Sequence, residues 1–399
     1  MSGIPYLALL IGLVVQTLVT MAAYSVPVAA PAIASALAVP GERVGIFISM
    51  VYGVGVLSAV FSPSFIHRYG PVRVSQFILL AGLAMIATVS VLGTLLALAG
   101  GAVLLGLGYG ATAPTSASLL MPRTPARIRN LVFSIRQIGV PLGGVLGGLV
   151  VPPLVLAQGW QLAIGVQLLP VLLTLVLLQV VRARYDVDRN PRLRIRPRGL
   201  LEPLALVKTL PEIRMLSLAT FFFAGTQLCF VAFMSVHLTS HAAFGLVAAG
   251  QMLATYQISG VVSRPIWGVI ADRWIPARRM LGVMGLVMAG MALLAGSFSA
   301  DWSWLGIFVV SAVAGATASG YTGIAFAEFA RIGGASRVAE ATGLGASSQF
   351  FGVMVLPTLF SAVVSAAGYA AAYAIIAVLA GLSGLALLVI DAVRRRSSG

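Results

Sequence analysis

Along this chain apolar residues neither alternate with polar ones nor keep to one helical face; they come in long unbroken runs, such as LALLIGLVVQTLVTMAAYSVPVAA near the start and AAYAIIAVLAGLSGLALLVI near the end. Most runs hold roughly 18 to 25 residues, enough for a helix to cross a hydrocarbon layer of about 30 Å. The pattern predicts twelve helices, over residues 5–32, 43–66, 73–94, 98–121, 130–156 and 160–183, then 212–236, 243–270, 278–298, 303–330, 339–366 and 369–391. Short alternating segments, which a membrane barrel requires, are not visible. The expected fold is an all-α polytopic membrane protein. The charged, proline-interrupted stretch RARYDVDRNPRLRIRPRGLLEPLALVK divides the helices six and six, giving bundles at 1–183 and 212–399 joined by a solvated linker at 184–211.

Composition strengthens this reading. Of 399 residues 59% are hydrophobic and 9% charged, and the mean hydropathy is +1.03. A soluble protein of this length carries far more charge. The net charge of +15 invites a nucleic-acid partner, but its distribution argues against one. Lys208 is the one lysine, and the arginines gather in alternate loops: Arg68 and Arg73; Arg123, Arg127 and Arg129; Arg182 to Arg198; Arg273, Arg278 and Arg279; Arg331 and Arg337; Arg394 to Arg396. The loops between hold almost none, Arg43 excepted. Such alternation is the positive-inside pattern, and it places both termini in the cytoplasm of a multi-pass membrane protein. The N-terminus lacks a basic leader region and reads as a retained span. Cys229 is a lone cysteine inside an apolar run, so no disulfide framework is expected.

The halves look like copies. PSFIHRYGPVRVS (63–75) matches GVIADRWIPARRM (268–280), with His67 and Asp272 205 positions apart. Near that offset Tyr52 pairs with Tyr256, Gln16 with Gln227, Gly108-Tyr109 with Gly320-Tyr321, and Gln137 with Gln349. Five matches in order argue for a duplicated six-helix unit of the transporter kind.

The series Gly268, Asp272, Arg273, Arg278 and Arg279 resembles the G-x-x-x-D-R-x-x-x-x-R-R loop signature of the major facilitator superfamily. GVPLGGVLGG at 139–148 is similar to the glycine-proline motif of that superfamily's antiporters. The resemblance implies two pseudo-symmetric six-helix bundles that rock about a central site. Gly268, Asp272 and Arg273, with Arg68 and Gly70 in the first copy and Gly139, Pro141, Gly143 and Gly144 in the fifth helix, would serve gating. The form R-P-x-x-G-x-x-A-D-R, from Arg264 to Arg273, looks like carriers of small anions, of the cyanate, oxalate–formate or monocarboxylate type. In the first copy His67 stands where the signature has an acidic residue and Pro63 where it has glycine, so an implied salt-bridge latch belongs to the second copy. The glycines also have a plain packing reading: small residues let helices approach closely. Pro114, Pro141 and Pro357 bend their helices by the same kind of local argument.

Two arginines carry the candidate chemistry. At about 1.5 Å per residue, Arg264 lies roughly 12 Å inside the boundary marked by Asp272, and Arg136 roughly 10 Å inside that marked by Arg129. A charge at such depth costs at least about 2.5–3.5 kcal/mol, so it must face a cavity or a partner. Neither recurs in the sister copy, where Ser348 and about Ala59 take their places. The resemblance implies that helices five and eight pack together, which would bring the two guanidiniums to one cavity. Of the ten acidic residues all but Glu328 lie at or outside the predicted boundaries, and Glu328 is one turn from the cytoplasmic end of its helix. A carboxylate cargo, gripped by the planar guanidinium fork, would supply the missing charge. The alternative is that one or both arginines bond helix carbonyls or Gln137 and gate the cytoplasmic side.

Gln16, Thr20 and Tyr24 form one stripe of the first helix, and Gln227, Tyr52, Tyr109, Tyr256, Gln257, Tyr321 and Gln349 add amides and hydroxyls for a small ligand. Each also suits an interhelical hydrogen bond. His237 and His241 read as loop residues at the outer end of helix seven, too isolated for a metal site. Asp272 is expected to cap the next helix or pair with an arginine. The sequence thus points to a secondary active transporter of a small organic anion, without cofactor, monomeric in the bilayer, with protons or a counter-transported anion as co-substrate. A proton-coupled exporter of hydrophobic compounds is the alternative, weakened by the scarcity of buried carboxylates. An intramembrane enzyme would need a nucleophile–base pair or metal cluster that the spans lack.

Overall fold

The computed structural model describes residues 3–39, 41–195, 201–240, 242 and 244–398, and among these every regular element is helical. The first half holds α1 (Tyr6–Val28), α2 (Ala30–Ala36), α3 (Gly41–Tyr69), α4 (Pro71–Leu92), α5 (Leu95–Leu120), α6 (Arg129–Gln137), α7 (Gly139–Gln158), α8 (Trp160–Gly165) and α9 (Leu168–Tyr185). A short α10 (Glu202–Thr209) lies in the linker. The second half follows with α11 (Pro211–Ser240), α12 (Leu246–Arg273), α13 (Ala277–Gly296), α14 (Trp304–Ala314), α15 (Thr322–Gly333) and α16 (Val338–Ser398).

Ten helical stretches are long and apolar enough to cross a bilayer. The last of them is two helices meeting at Gly368, where φ is +81° and ψ 173°. With the 28-residue α12, the described residues provide twelve spans. Leucines such as Leu96, Leu149, Leu156 and Leu169 stand exposed on the outer faces, as hydrocarbon-facing positions do.

Several spans that sequence periodicity draws as one helix are jointed. The first breaks at Ala29 because Pro31 has no amide to return to the carbonyl of Pro27. The fifth breaks at Ile138 because Pro141 leaves the Gln137 carbonyl without its helical donor. The sixth breaks at 166–167, and the tenth is interrupted by the π turn Gly315–Ser319. The seventh runs four residues past its expected end, to Ser240.

The helices condense into two compact units. Unit 1 comprises Met1–Thr124, Arg136–Thr209 and Gly333–Ser347; unit 2 comprises Pro125–Ile135, Leu210–Ile332 and Ser348–Gly399. Each therefore includes a short piece of the opposite half of the sequence. In unit 1, α3 packs along α5 and α7 along α1. The α1–α7 contact is backbone-close: a Cβ on Gly143 would lie 2.4 Å from the Thr17 carbonyl, and one on Gly139 2.9 Å from that of Leu13. Gly144 and Gly148, on another face of α7, have nothing within 4 Å.

Candidate functional site

In unit 1 the polar residues of four spans converge on Arg136, at the end of α6 and 4% exposed. Its Nη2 donates to Gln16 Oε1 at 2.8 Å and to the Thr112 carbonyl at 2.9 Å, and its Nη1 donates to Gln137 Oε1. All three acceptors are neutral, and Nε is buried with no acceptor. Gln16 Nε2 donates onward to Thr20 Oγ1 at 2.9 Å. Tyr109 is hydrogen-bonded to Thr20 and Tyr52, and Tyr52 to Tyr24. The rings of Tyr52 and Tyr109 meet edge-on, 5.8 Å apart. Gln16, Thr20, Tyr24, Tyr52, Tyr109, Arg136 and Gln137 thus form one continuous network. Thr112 carries no sequence signal for this role: its carbonyl becomes an acceptor because its turn faces Arg136, which residue type does not reveal.

Unit 2 holds a second polar centre around Arg264, 3% exposed. Its Nε and Nη2 each donate to the Ser319 carbonyl at 3.2 Å, and Nη2 also reaches Ser319 Oγ at 3.1 Å. Tyr256 and Tyr321 are fully buried beside it. The Tyr256 hydroxyl donates to the Gln227 carbonyl at 3.4 Å, and that of Tyr321 to Gln349 Oε1 at 3.2 Å. Gln257, next to Tyr256 in sequence, is exposed. Ser348, the sister of Arg136, bonds the Ser217 carbonyl instead.

The loop signature builds a helix cap. Asp272 Oδ1 accepts from the Asn130 backbone N at 3.0 Å and side chain at 2.9 Å, and Oδ2 accepts from the Leu131 amide at 2.9 Å. The carboxylate thus sits on the positive N-terminus of α6, a favourable position for an anion. This corrects the expectation that Asp272 caps the following helix. Gly268, one turn earlier, makes room: a Cβ there would lie 2.7 Å from Leu131 Cα. Arg273 is exposed, and the Arg68 guanidinium lies over the Tyr69 ring at 5.2 Å.

The matching end in unit 1 differs. His67 Nε2 meets Glu340 Oε1 at 2.8 Å, beside a cavity of ≈ 350 Å³ lined also by Asp188, Asn190, Arg194 and Glu202. The cap of α4 is supplied by Asp186, whose oxygens accept from the Val72 and Arg73 amides at 2.8 and 3.0 Å. Burial pushes the Asp186 carboxyl up from the usual carboxylate range, against the downward pull of these amides and of Arg182. Gly70 is obligatory here, for its φ is +89° and a Cβ would lie 2.4 Å from the Asp186 side chain. Sequence patterning gave no signal for either role, because Asp186 and Glu340 are distant in the chain from what they touch.

Other carboxylates are engaged in ion pairs. Glu328 meets Arg278 at 3.2 Å and Arg331 at 2.7 Å, Glu212 meets Arg278 at 3.4 Å, and Asp391 meets Arg279 at 3.3 Å. His237 is not the loop residue its polar neighbourhood suggests. It lies within α11, 3% exposed, its ring stacked on Tyr369 at 4.4 Å and flanked by Tyr373 and Phe298. His241 falls outside the described residues. Among the described residues no group of His, Cys, Asp and Glu could hold a metal ion.

Known proteins place this geometry in context. In sequence, the chain is 41% identical over 106 residues to the 4-hydroxybenzoate transporter PcaK of Pseudomonas aeruginosa, a match covering 26% of this chain and 23% of the relative. It is 40% identical over 91 residues to PcaK of Pseudomonas putida, covering 22% and 20%. The chain thus spans about a quarter or less of these curated relatives. Solved structures match over nearly the full length. The human organic anion transporter MFSD10 (TETRAN) superposes with a TM-score of 0.74 at 16% identity, covering 96% of this chain and 100% of that one. The E. coli fucose:proton symporter FucP gives 0.75 at 13% identity, covering 95% and 97%. At such identities the likeness is one of fold. The family model "Major Facilitator Superfamily" matches residues 12–336 and 216–399, together nearly the whole chain. The protein is a multi-pass membrane transporter, not an enzyme, and it belongs to the Major Facilitator Superfamily.

Proposed function

We propose that this protein moves a small organic anion, a carboxylate, across the bacterial inner membrane by alternating access of its two sequence halves, 1–183 and 212–399, with the linker 184–211 and both termini in the cytoplasm. Arg136 is the principal anion ligand in unit 1 and Arg264 a second in unit 2, each with its own surrounding tyrosines and amides. One observation carries the reading: a guanidinium 4% exposed whose acceptors are two amide oxygens and a carbonyl, with an Nε donor left over. A carboxylate offers two charged oxygens to such a fork, and charge-assisted hydrogen bonds are about twice as strong as neutral ones. The names of the PcaK relatives, carriers of an aromatic carboxylate, support the same class.

The competing reading, proton-coupled export of hydrophobic compounds, would draw on a buried carboxylate that exchanges protons. Glu328 is the buried candidate, and two arginines already hold it. Counterflow in proteoliposomes loaded with mono- and dicarboxylates, 4-hydroxybenzoate among them, tests the choice. The expected outcome is exchange of at least one carboxylate that Arg136→Gln abolishes in a protein that still folds. Exchange of cationic drugs alone would sink the anion reading.

A further inference from the structure

The π turn in the tenth span is held by side chains of α12. The amides of Gly320 and Tyr321 both donate to the Thr317 carbonyl. In an uninterrupted α-helix the Gly320 amide would instead bond the Ala316 carbonyl. That carbonyl turns outward and accepts from Ser263 Oγ at 3.1 Å and Trp267 Nε1 at 2.6 Å. One turn further on, the Ser319 carbonyl accepts both Arg264 donors. Three side chains at 263, 264 and 267 therefore satisfy two carbonyls of a broken helix, an obligation that hydrocarbon surroundings enforce. The fit is tight: a Cβ on Gly315 would lie 2.0 Å from the Tyr256 carbonyl, and one on Gly260 2.6 Å from Ser319 Cβ.

A π turn is an α-helix with one residue inserted, so the segment has two nearby arrangements that differ in where the Gly320 amide bonds. A carboxylate is a stronger acceptor for guanidinium than a carbonyl. We propose that Arg264 is a positioning residue that holds residues 315–319 as a π turn. A carboxylate cargo drawing on the same guanidinium releases the Ser319 carbonyl, and the turn closes toward α geometry. The inference rests on the anion reading above, and it makes the bend of the tenth span and cargo affinity reciprocally linked.

Trp267 is a built-in reporter, because closure returns the Ala316 carbonyl to the backbone and strips the indole of its acceptor. In full-length protein in nanodiscs, with Trp160, Trp274, Trp302 and Trp304 replaced by Phe, 4-hydroxybenzoate should shift Trp267 emission to the blue, whereas neutral 4-hydroxybenzamide should not. Arg264→Lys, which lacks the fork, should be blue-shifted without ligand. Deleting Ala318, which removes the inserted residue, should tighten 4-hydroxybenzoate binding and slow exchange at least about tenfold. Binding heat without an emission shift would overturn this inference and leave the anion reading standing. Absence of binding by 4-hydroxybenzoate, benzoate, oxalate and formate alike would overturn both. Exchange at the parental rate in the deletion variant would also overturn it. Should that variant not fold, parental emission in Arg264→Lys does so.

Discussion

Arg136 and Arg264 are alike in burial and unlike in how they are held. Arg136 is cradled by two side-chain amides and a carbonyl, with a donor to spare. Arg264 grips one carbonyl with two of its nitrogens and helps to keep a helix open. A guanidinium held by amide side chains can exchange them for a ligand by rotating a few bonds. One clamped on a backbone carbonyl leaves that carbonyl short of a donor when it departs, unless the backbone rearranges. The first arrangement suits a receptor, the second a coupling element.

The largest expected effect follows from that difference. Replacing Arg136 by Met should abolish carboxylate exchange while leaving thermal stability unchanged or raised, because a buried charge costing at least about 2.5–3.5 kcal/mol is removed and two of its three acceptors are side-chain amides that can pair with one another. Replacing Arg264 by Met should lower stability, by roughly 1–3 kcal/mol for a buried carbonyl left without its donor, as well as transport. Counterflow and thermal unfolding of the two variants, side by side, check this. Equal losses of stability in both would collapse the distinction between them.

Much of this was legible beforehand because it is written in local sequence. Apolar run length sets the spans, arginine placement sets the loops, and both buried arginines break their runs conspicuously. Gly268 and Asp272, one turn apart, lie on one face and do act together. What stayed hidden depends on partners far away in the chain. Asp186 caps a helix that starts 115 residues earlier, at Pro71, and nothing in GATAS marks a π turn instead of an α turn, since small residues fit both. His237 departs from its sequence expectation for a physical reason: its polar companions at 239–241 imitate a loop, while the aromatic rings that bury it come from residues 298, 369 and 373.

The two copies of the loop signature extend the comparison to smaller energies. Asp272 caps α6 through backbone amides, so Asp272→Ala should cost about 0.5–2 kcal/mol, the range for losing an N-terminal cap. Thermal unfolding of the variant measures it.

His67 and Glu340 should behave otherwise. Their bond joins opposite charges only while the imidazole is protonated, and histidine titrates near neutrality. The His67 side chain is 39% exposed, so solvent screening limits the pair to about 0.2–1 kcal/mol. Protonation favoured by the folded pair adds stability at acidic pH and none once pH rises past the imidazole's titration. Glu340→Gln should therefore lower the unfolding temperature slightly in mildly acidic buffer and leave it unchanged in alkaline buffer. A pH-independent loss in Glu340→Gln would mean that the two sites, despite their different chemistry, act as equivalent fixed braces.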